Sequence, residues 1–162
     1  MNRVVTAFLV AGLVLAAPAT LLSESQSAAS AESAEIAVIV HEENSMSSLS
    51  LKELSRLYLG KTTIFPDDTR VQLGEDSATE EEFYRVVLNW SPVKVAKHWI
   101  KQVFSGASGS PPHRFKRVRD IADFVDDNRG AICFLSADKL DSTMNVISIE
   151  GLRPGDDGYP LR

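Results

Sequence analysis

The chain has 162 residues, 44% hydrophobic and 24% charged, with a formal net charge of −5. That size suits one domain able to bury its own core, and the acidic balance argues against nucleic acid or an anionic membrane surface as partner. Cys133 is the only cysteine, so no intramolecular disulfide can form.

Arg3 precedes an apolar run, Val4 to Leu15, followed by small residues. This is the order of a secretory signal peptide. Two A-x-A cleavage sites are present, Ala17-Pro18-Ala19 and Ala29-Ser30-Ala31, and the second is favoured. The Ser/Ala/Glu/Gln tract from Ser23 to Ala34 is too polar to pack and reads as a flexible lead-in. The apolar run falls short of the ~20 residues that span a bilayer. The expectation is a signal peptide and cleavage region over 1–31 and one domain over 32–162, with no membrane span after cleavage. Its destination is the periplasm if an outer membrane is present, and otherwise the cell exterior.

"EIAVIVH", Glu35 to His41, is a β-branched run and predicts a buried strand. Ser50 with Glu53 spells a capping box, Leu51, Leu54, Leu57 and Tyr58 form an apolar stripe, and Gly60 ends the short helix. A Pro66-Asp67-Asp68 turn leads to a short strand over Arg70 to Leu73. Phe83, Val86 and Val87 share one face of the next helix. Ser91 and Pro92 then start another, with a long stripe of Val93, Ala96, Trp99, Ile100, Val103 and Phe104. A Gly/Ser loop and the basic stretch "HRFKRVRD" follow. Val118, Ile121, Phe124 and Val125 predict an amphipathic helix ending near Asn128. "AICFL" and "NVISI" predict two later strands, and the tail is rich in Gly and Pro. Strands alternating with helices imply an α/β fold with a small, partly parallel sheet.

Catalytic signatures are missing from this pattern. There is no G-x-S-x-G elbow, and "SGASGS" lacks the Lys-Ser/Thr ending of a phosphate loop. His41, His98 and His113 lie far apart without metal-ligand spacing. Cys133 stands in an apolar run and reads as a small buried hydrophobe. The expectation is a non-enzymatic domain with no cofactor and no metal. His113, Arg114, Lys116, Arg117 and Arg119 read first as a solvated face, and second as a contact for an anion or acidic partner.

Four pieces resemble the phosphate ABC transporter substrate-binding proteins, in order and spacing. "SSLSLKELSRLYLGKTTIFPDDTRV" is similar to the family's leucine-rich helix, its Gly-Lys and the turn beyond. "SATEEEFYRVVL" stands where the family has Ser-Gly-Thr and a helix carrying Phe. "NRGAICFL" looks like Asn-Pro-Gly-Ala-Ile-Gly-Tyr-Val, and "GYPLR" resembles the family's Tyr-Pro-Leu-Arg. The resemblance covers about Ile36 to Arg162. It implies a single lobe of a type 2 periplasmic-binding-protein-like fold, a small mixed sheet flanked by helices. In the family, two lobes close on the ligand, and this chain has room for one.

The resemblance places a candidate oxyanion site at Ser77, Ala78 and Thr79. Ala78 replaces the family's glycine, and Leu73 stands where the family has an arginine. Cys133 also replaces a family glycine. The free N–H groups of a helix start favour an anion by ~0.3–1 kcal/mol through the dipole. Against this, Ser77 with Glu80, or Thr79 with Glu82, spells a capping box, and a capping side chain is worth ~1 kcal/mol. Glu75, Asp76, Glu80, Glu81 and Glu82 crowd the turn, with no local cation expected to offset them. The expected function is an exported phosphate- or oxyanion-binding-like domain with weak or lost binding, with a transporter or envelope protein as candidate partner. The alternative is an envelope protein–protein interaction module with an exposed patch around Phe115 or Trp90.

Overall fold

The computed structural model of the chain describes residues 34–162, so the expected signal peptide and its cleavage sites lie outside the described residues. The elements are β1 (Ile36–Val40), β2 (Ser48–Leu49), α1 (Leu51–Tyr58), β3 (Gln72–Asp76), α2 (Glu80–Leu88), α3 (Pro92–Phe104), β4 (His113–Phe115), α4 (Val118–Asp127), β5 (Ala131–Ser136) and β6 (Asn145–Ile149). They build one six-stranded sheet in the order β2-β6-β1-β5-β3-β4. β3 runs parallel to β4 and β5, and β2 parallel to β6, while β1 is antiparallel to β5 and β6. The sheet is therefore mixed, as the resemblance implies.

β1 and β5 are buried along their whole length because helices cover both faces of the sheet. The two-residue period of the strands divides the core in two. Ile36, Val38, Val40, Ile132 and Phe134 face a large cluster with side chains of α1, α2 and α3. Ala37, Ile39, Cys133 and Leu135 face a smaller one with Ile121 and Val125 of α4. The tail clamps β1: the Ile36 amide donates to the Leu161 carbonyl at 2.8 Å, and the Tyr159 hydroxyl donates to the Ile36 carbonyl at 2.8 Å. This gives the "GYPLR" ending a structural task.

The capping box at α1 forms as expected, with Glu53 N–H donating to Ser50 Oγ and the Glu53 carboxylate accepting the Ser50 amide. Gly60 follows the helix with φ 67°. Three expectations need correction. The second long strand is Gln72–Asp76, not Arg70 to Leu73: Arg70 makes only an isolated bridge to Ile64. The Gln72 amide donates to the Gly130 carbonyl, setting the parallel register with β5 two residues further along. β2 and β4 are further strands, too short to leave a pattern. The α3 stripe does not face the core as a unit. Val95 and Trp99 are buried, whereas Val93, Ile100, Val103 and Phe104 are exposed, Phe104 by 86%.

At two glycines of the β3–β5 region an added Cβ would clash with a neighbour. A Cβ on Gly130 would lie 1.9 Å from the Arg70 carbonyl oxygen. A Cβ on Gly74 would lie 2.2 Å from Cys133 Sγ, its partner across the β3–β5 pairing. The thiol that replaces a glycine in the resembling family thus fills space that Gly74 leaves open. Burial pushes its pKa up and keeps it unreactive. Gly74→Ala is expected to destabilise the protein by about 1–3 kcal/mol through overpacking. Cys133→Ala in the same chain removes the clash, since the Cβ atoms alone are 3.4 Å apart. Chemical denaturation of the double-mutant cycle should therefore show favourable coupling; strictly additive losses would contradict the contact.

Candidate functional site

β3, β4 and β5 all point their carboxyl ends at the same edge of the sheet, and α2 begins there. In parallel α/β sheets this edge is where ligands bind. The connection from β3 to α2 is Ser77-Ala78-Thr79. The Ser77 amide donates to the Phe115 carbonyl at 2.9 Å, tying the turn to β4. Asp76, buried at the strand's end, accepts the Ala78 amide on Oδ1 at 3.0 Å, and its backbone carbonyl accepts the Thr79 amide at 3.1 Å.

Neither expected capping box forms. Thr79 is the N-cap, yet its side chain makes no capping hydrogen bond. Thr79 Oγ1 is buried without a partner. Among the described residues, the amides of Glu80, Glu81 and Glu82 find no protein acceptor, and Ser77 Oγ has no partner. The reason lies in the competing partners of the glutamates. Glu80 pairs with Arg114 of β4, and Glu82 pairs with Arg85 one turn along α2. Asp76, rather than either glutamate, stabilises the turn.

The charge balance also differs from expectation. Lys139, in a short 3-10 turn after β5, places Nζ 3.2 Å from Asp76 Oδ2. Arg114 reaches Glu80 from the neighbouring strand, where Glu75 and Arg114 are in register. With Arg85 on Glu82, three of the five carboxylates have a cation in contact, two of those cations supplied from 34 and 63 residues away in sequence. Leu73, by contrast, is buried in β3 and gives the site no charge.

Glu75 accepts a hydrogen bond from the Tyr84 hydroxyl. Burial raises its pKa and the nearby Glu80 charge adds to this, while the Tyr84 bond and Arg114 act the other way. Two other arginines of the basic stretch are spent locally: Arg117 pairs with Asp120 at 2.7 Å, and Arg119 lies 3.9 Å from Asp123. Phe115 and Trp90 do not form the exposed patch expected of an interaction module. Phe115 packs against His113 and Phe124, and Trp90 lies under Lys94, whose Nζ is 4.2 Å from the ring centroid.

The chain thus has a mixed α/β sheet flanked by helices, with the Ser77-Ala78-Thr79 turn at the carboxyl ends of its parallel strands. Solved structures with the same fold include phosphate transport proteins. A phosphate ABC transporter substrate-binding protein from Clostridium perfringens, with bound phosphate, matches at a TM-score of 0.60 and 19% identity, over 75% of this chain and 47% of its own. PstS from Borrelia burgdorferi matches at 0.59 and 10%, over 79% and 54%. An ABC-type phosphate transport receptor from Vibrio cholerae matches at 0.56 and 17%, over 79% and 53%. The chain spans about half the length of these proteins, so it corresponds to one lobe of them. No protein-family model matches the sequence, and no curated protein matches it. Among the described residues, no helix is long and apolar enough to cross a membrane, and no cluster of His, Cys, Asp or Glu is arranged for a metal.

The raised Glu75 pKa has a sign that can be checked. The folded protein holds this proton more tightly than the unfolded chain, so the stability Glu75 contributes is lost as pH rises above the ordinary glutamate value of 4.5. Glu75→Gln cannot ionise there. Urea denaturation across this range should show the variant gaining stability, relative to the unsubstituted protein, as pH increases. A difference that stays constant with pH would remove Glu75 as the titrating group.

Proposed function

We propose that this chain is an exported, non-enzymatic oxyanion-binding domain, one lobe of a phosphate-binding-protein architecture, that binds its anion weakly by itself. The observation that carries the reading is Thr79. Its hydroxyl is buried without a partner at the start of α2, beside three amides that also lack protein acceptors. A buried polar atom left unpaired is costly, and an oxyanion seated on this first turn would satisfy it. Ser77 Oγ and the Ala78–Thr79 backbone would complete the cradle, and phosphate is the natural candidate because the structures of like fold are phosphate proteins. Weakness follows from three features. Ala78 limits close backbone approach, Leu73 supplies no guanidinium, and Arg114 and Lys139 are already engaged with carboxylates.

The alternative is an envelope interaction or accessory module that kept the lobe and lost the solute. The engagement of Asp76 with the Ala78 amide favours it, because a side chain already occupies part of the turn.

Phosphate titration followed by thermal denaturation separates the two. Phosphate is expected to stabilise the protein in the millimolar range beyond the effect of chloride at equal ionic strength. Saturation at a hundred times the dissociation constant should add ~2.7 kcal/mol. Thr79→Val, which keeps shape and removes the hydroxyl, should abolish the shift. No phosphate-specific shift in the unsubstituted protein would reject oxyanion binding by this chain and leave the interaction module.

A further inference from the structure

A cavity lies beside the turn, along α3. It is a groove of about 620 Å³, a volume suited to a small organic ligand. Val93, Ile100, Val103 and Phe104, the exposed apolar residues of α3, line it together with Trp99 and Pro112. So much exposed hydrocarbon along one helix face carries a solvation cost that an apolar occupant would relieve.

The groove's charged lining is confined to one group, Glu75, Glu80 and Arg114. That is two carboxylates for one guanidinium, and Arg114 is spent on Glu80 Oε1. Tyr84 donates to Glu75 Oε2. Among the described residues, Glu75 Oε1 and Glu80 Oε2 have no protein donor. The two carboxylates also act on each other, since the Glu80 charge is one of the causes that raise the Glu75 pKa. A cation placed between them would reduce that repulsion and supply the missing donors. None of the α3 lysines, Lys94, Lys97 or Lys101, lines the groove to oppose it.

We propose that this groove is a binding site for a small apolar amine, with its ammonium against Glu75 and Glu80 and its hydrocarbon body along Val93, Ile100 and Val103. The charge of the occupant is opposite to that of the oxyanion at the β3–α2 turn, so amine binding and phosphate binding are read by different ligands and either can fail without the other.

Hexylammonium, hexanol and hexanoate share one hydrocarbon tail and differ in the head. Each is titrated into the full chain at constant ionic strength, with affinities from calorimetry and location from amide ¹H–¹⁵N shifts. Hexylammonium is expected to bind about tenfold more tightly than hexanol, as a charge-assisted hydrogen bond allows, with hexanoate weakest. Shifts should concentrate on α3 and Tyr84. Glu75→Gln should erase the preference for the ammonium over the alcohol. Ile100→Ser, at an exposed position that the fold does not need, should weaken the ammonium and the alcohol alike. Hexanoate binding as tightly as hexylammonium, shifts centred away from α3, or Ile100→Ser leaving every affinity unchanged would each overturn the proposal.

Discussion

The structure turns on the stacking of Phe83 on Phe134. The two rings lie 3.7 Å apart between centroids and within 10° of parallel, and Tyr58 and Tyr84 pack edge-on against them. Phe134 belongs to β5, Phe83 and Tyr84 to α2, and Tyr58 to α1, so one aromatic cluster joins two helices to the centre of the sheet. Aromatic pairs contribute about 0.5–1.5 kcal/mol beyond the area they bury. The geometric effect matters more here. Phe83 and Tyr84 sit at the fourth and fifth residues of α2, so fixing them fixes where that helix begins and how Ser77-Ala78-Thr79 must turn to reach it. The Tyr58 hydroxyl adds a polar tie, donating to the Gly74 carbonyl at 2.9 Å just before the turn.

That cluster also presents the polar ends of the site. Tyr84 buries its ring in the stack and offers its hydroxyl to Glu75, which draws a carboxylate to the boundary between the turn and the groove. The proposed anion turn and the proposed amine groove therefore share one wall. The turn offers amides and a hydroxyl, which suit an anion, and the groove offers carboxylate oxygens beside hydrocarbon, which suit a cation. The sheet edge separates these demands over a few residues, because the odd and even positions of β3 point to opposite faces.

Much of the fold was legible in local pattern. The helix starts at Ser50 and Ser91, the buried runs of β1 and β5 and the amphipathic α4 each follow from neighbours a few residues apart. The errors share a cause. β3 was expected near Arg70 because Arg70 to Leu73 has strand-like residues, but its register depends on Gly130 and Cys133, some 60 residues later. The α3 stripe looked like a core face because hydrophobic spacing reports which residues share a side, not what covers that side. Only Val95 and Trp99 meet the sheet's large cluster, and the remainder of the stripe became a groove.

The sequence by itself determined the fold class, an α/β lobe, and put Ser77, Ala78 and Thr79, the candidate oxyanion turn, at a helix start. These rest on local spacing and on the four-piece resemblance, which a linear reading can see. The tertiary structure decided the electrostatics. Five carboxylates near Ser77 looked repulsive to an anion, but folding brings Arg114 to Glu80 and Lys139 to Asp76. Those pairs form because parallel strands end side by side, and that alignment joins residues whose separation along the chain gives no sign of it. The same alignment frees Thr79 of the capping role that its neighbours' sequence suggested.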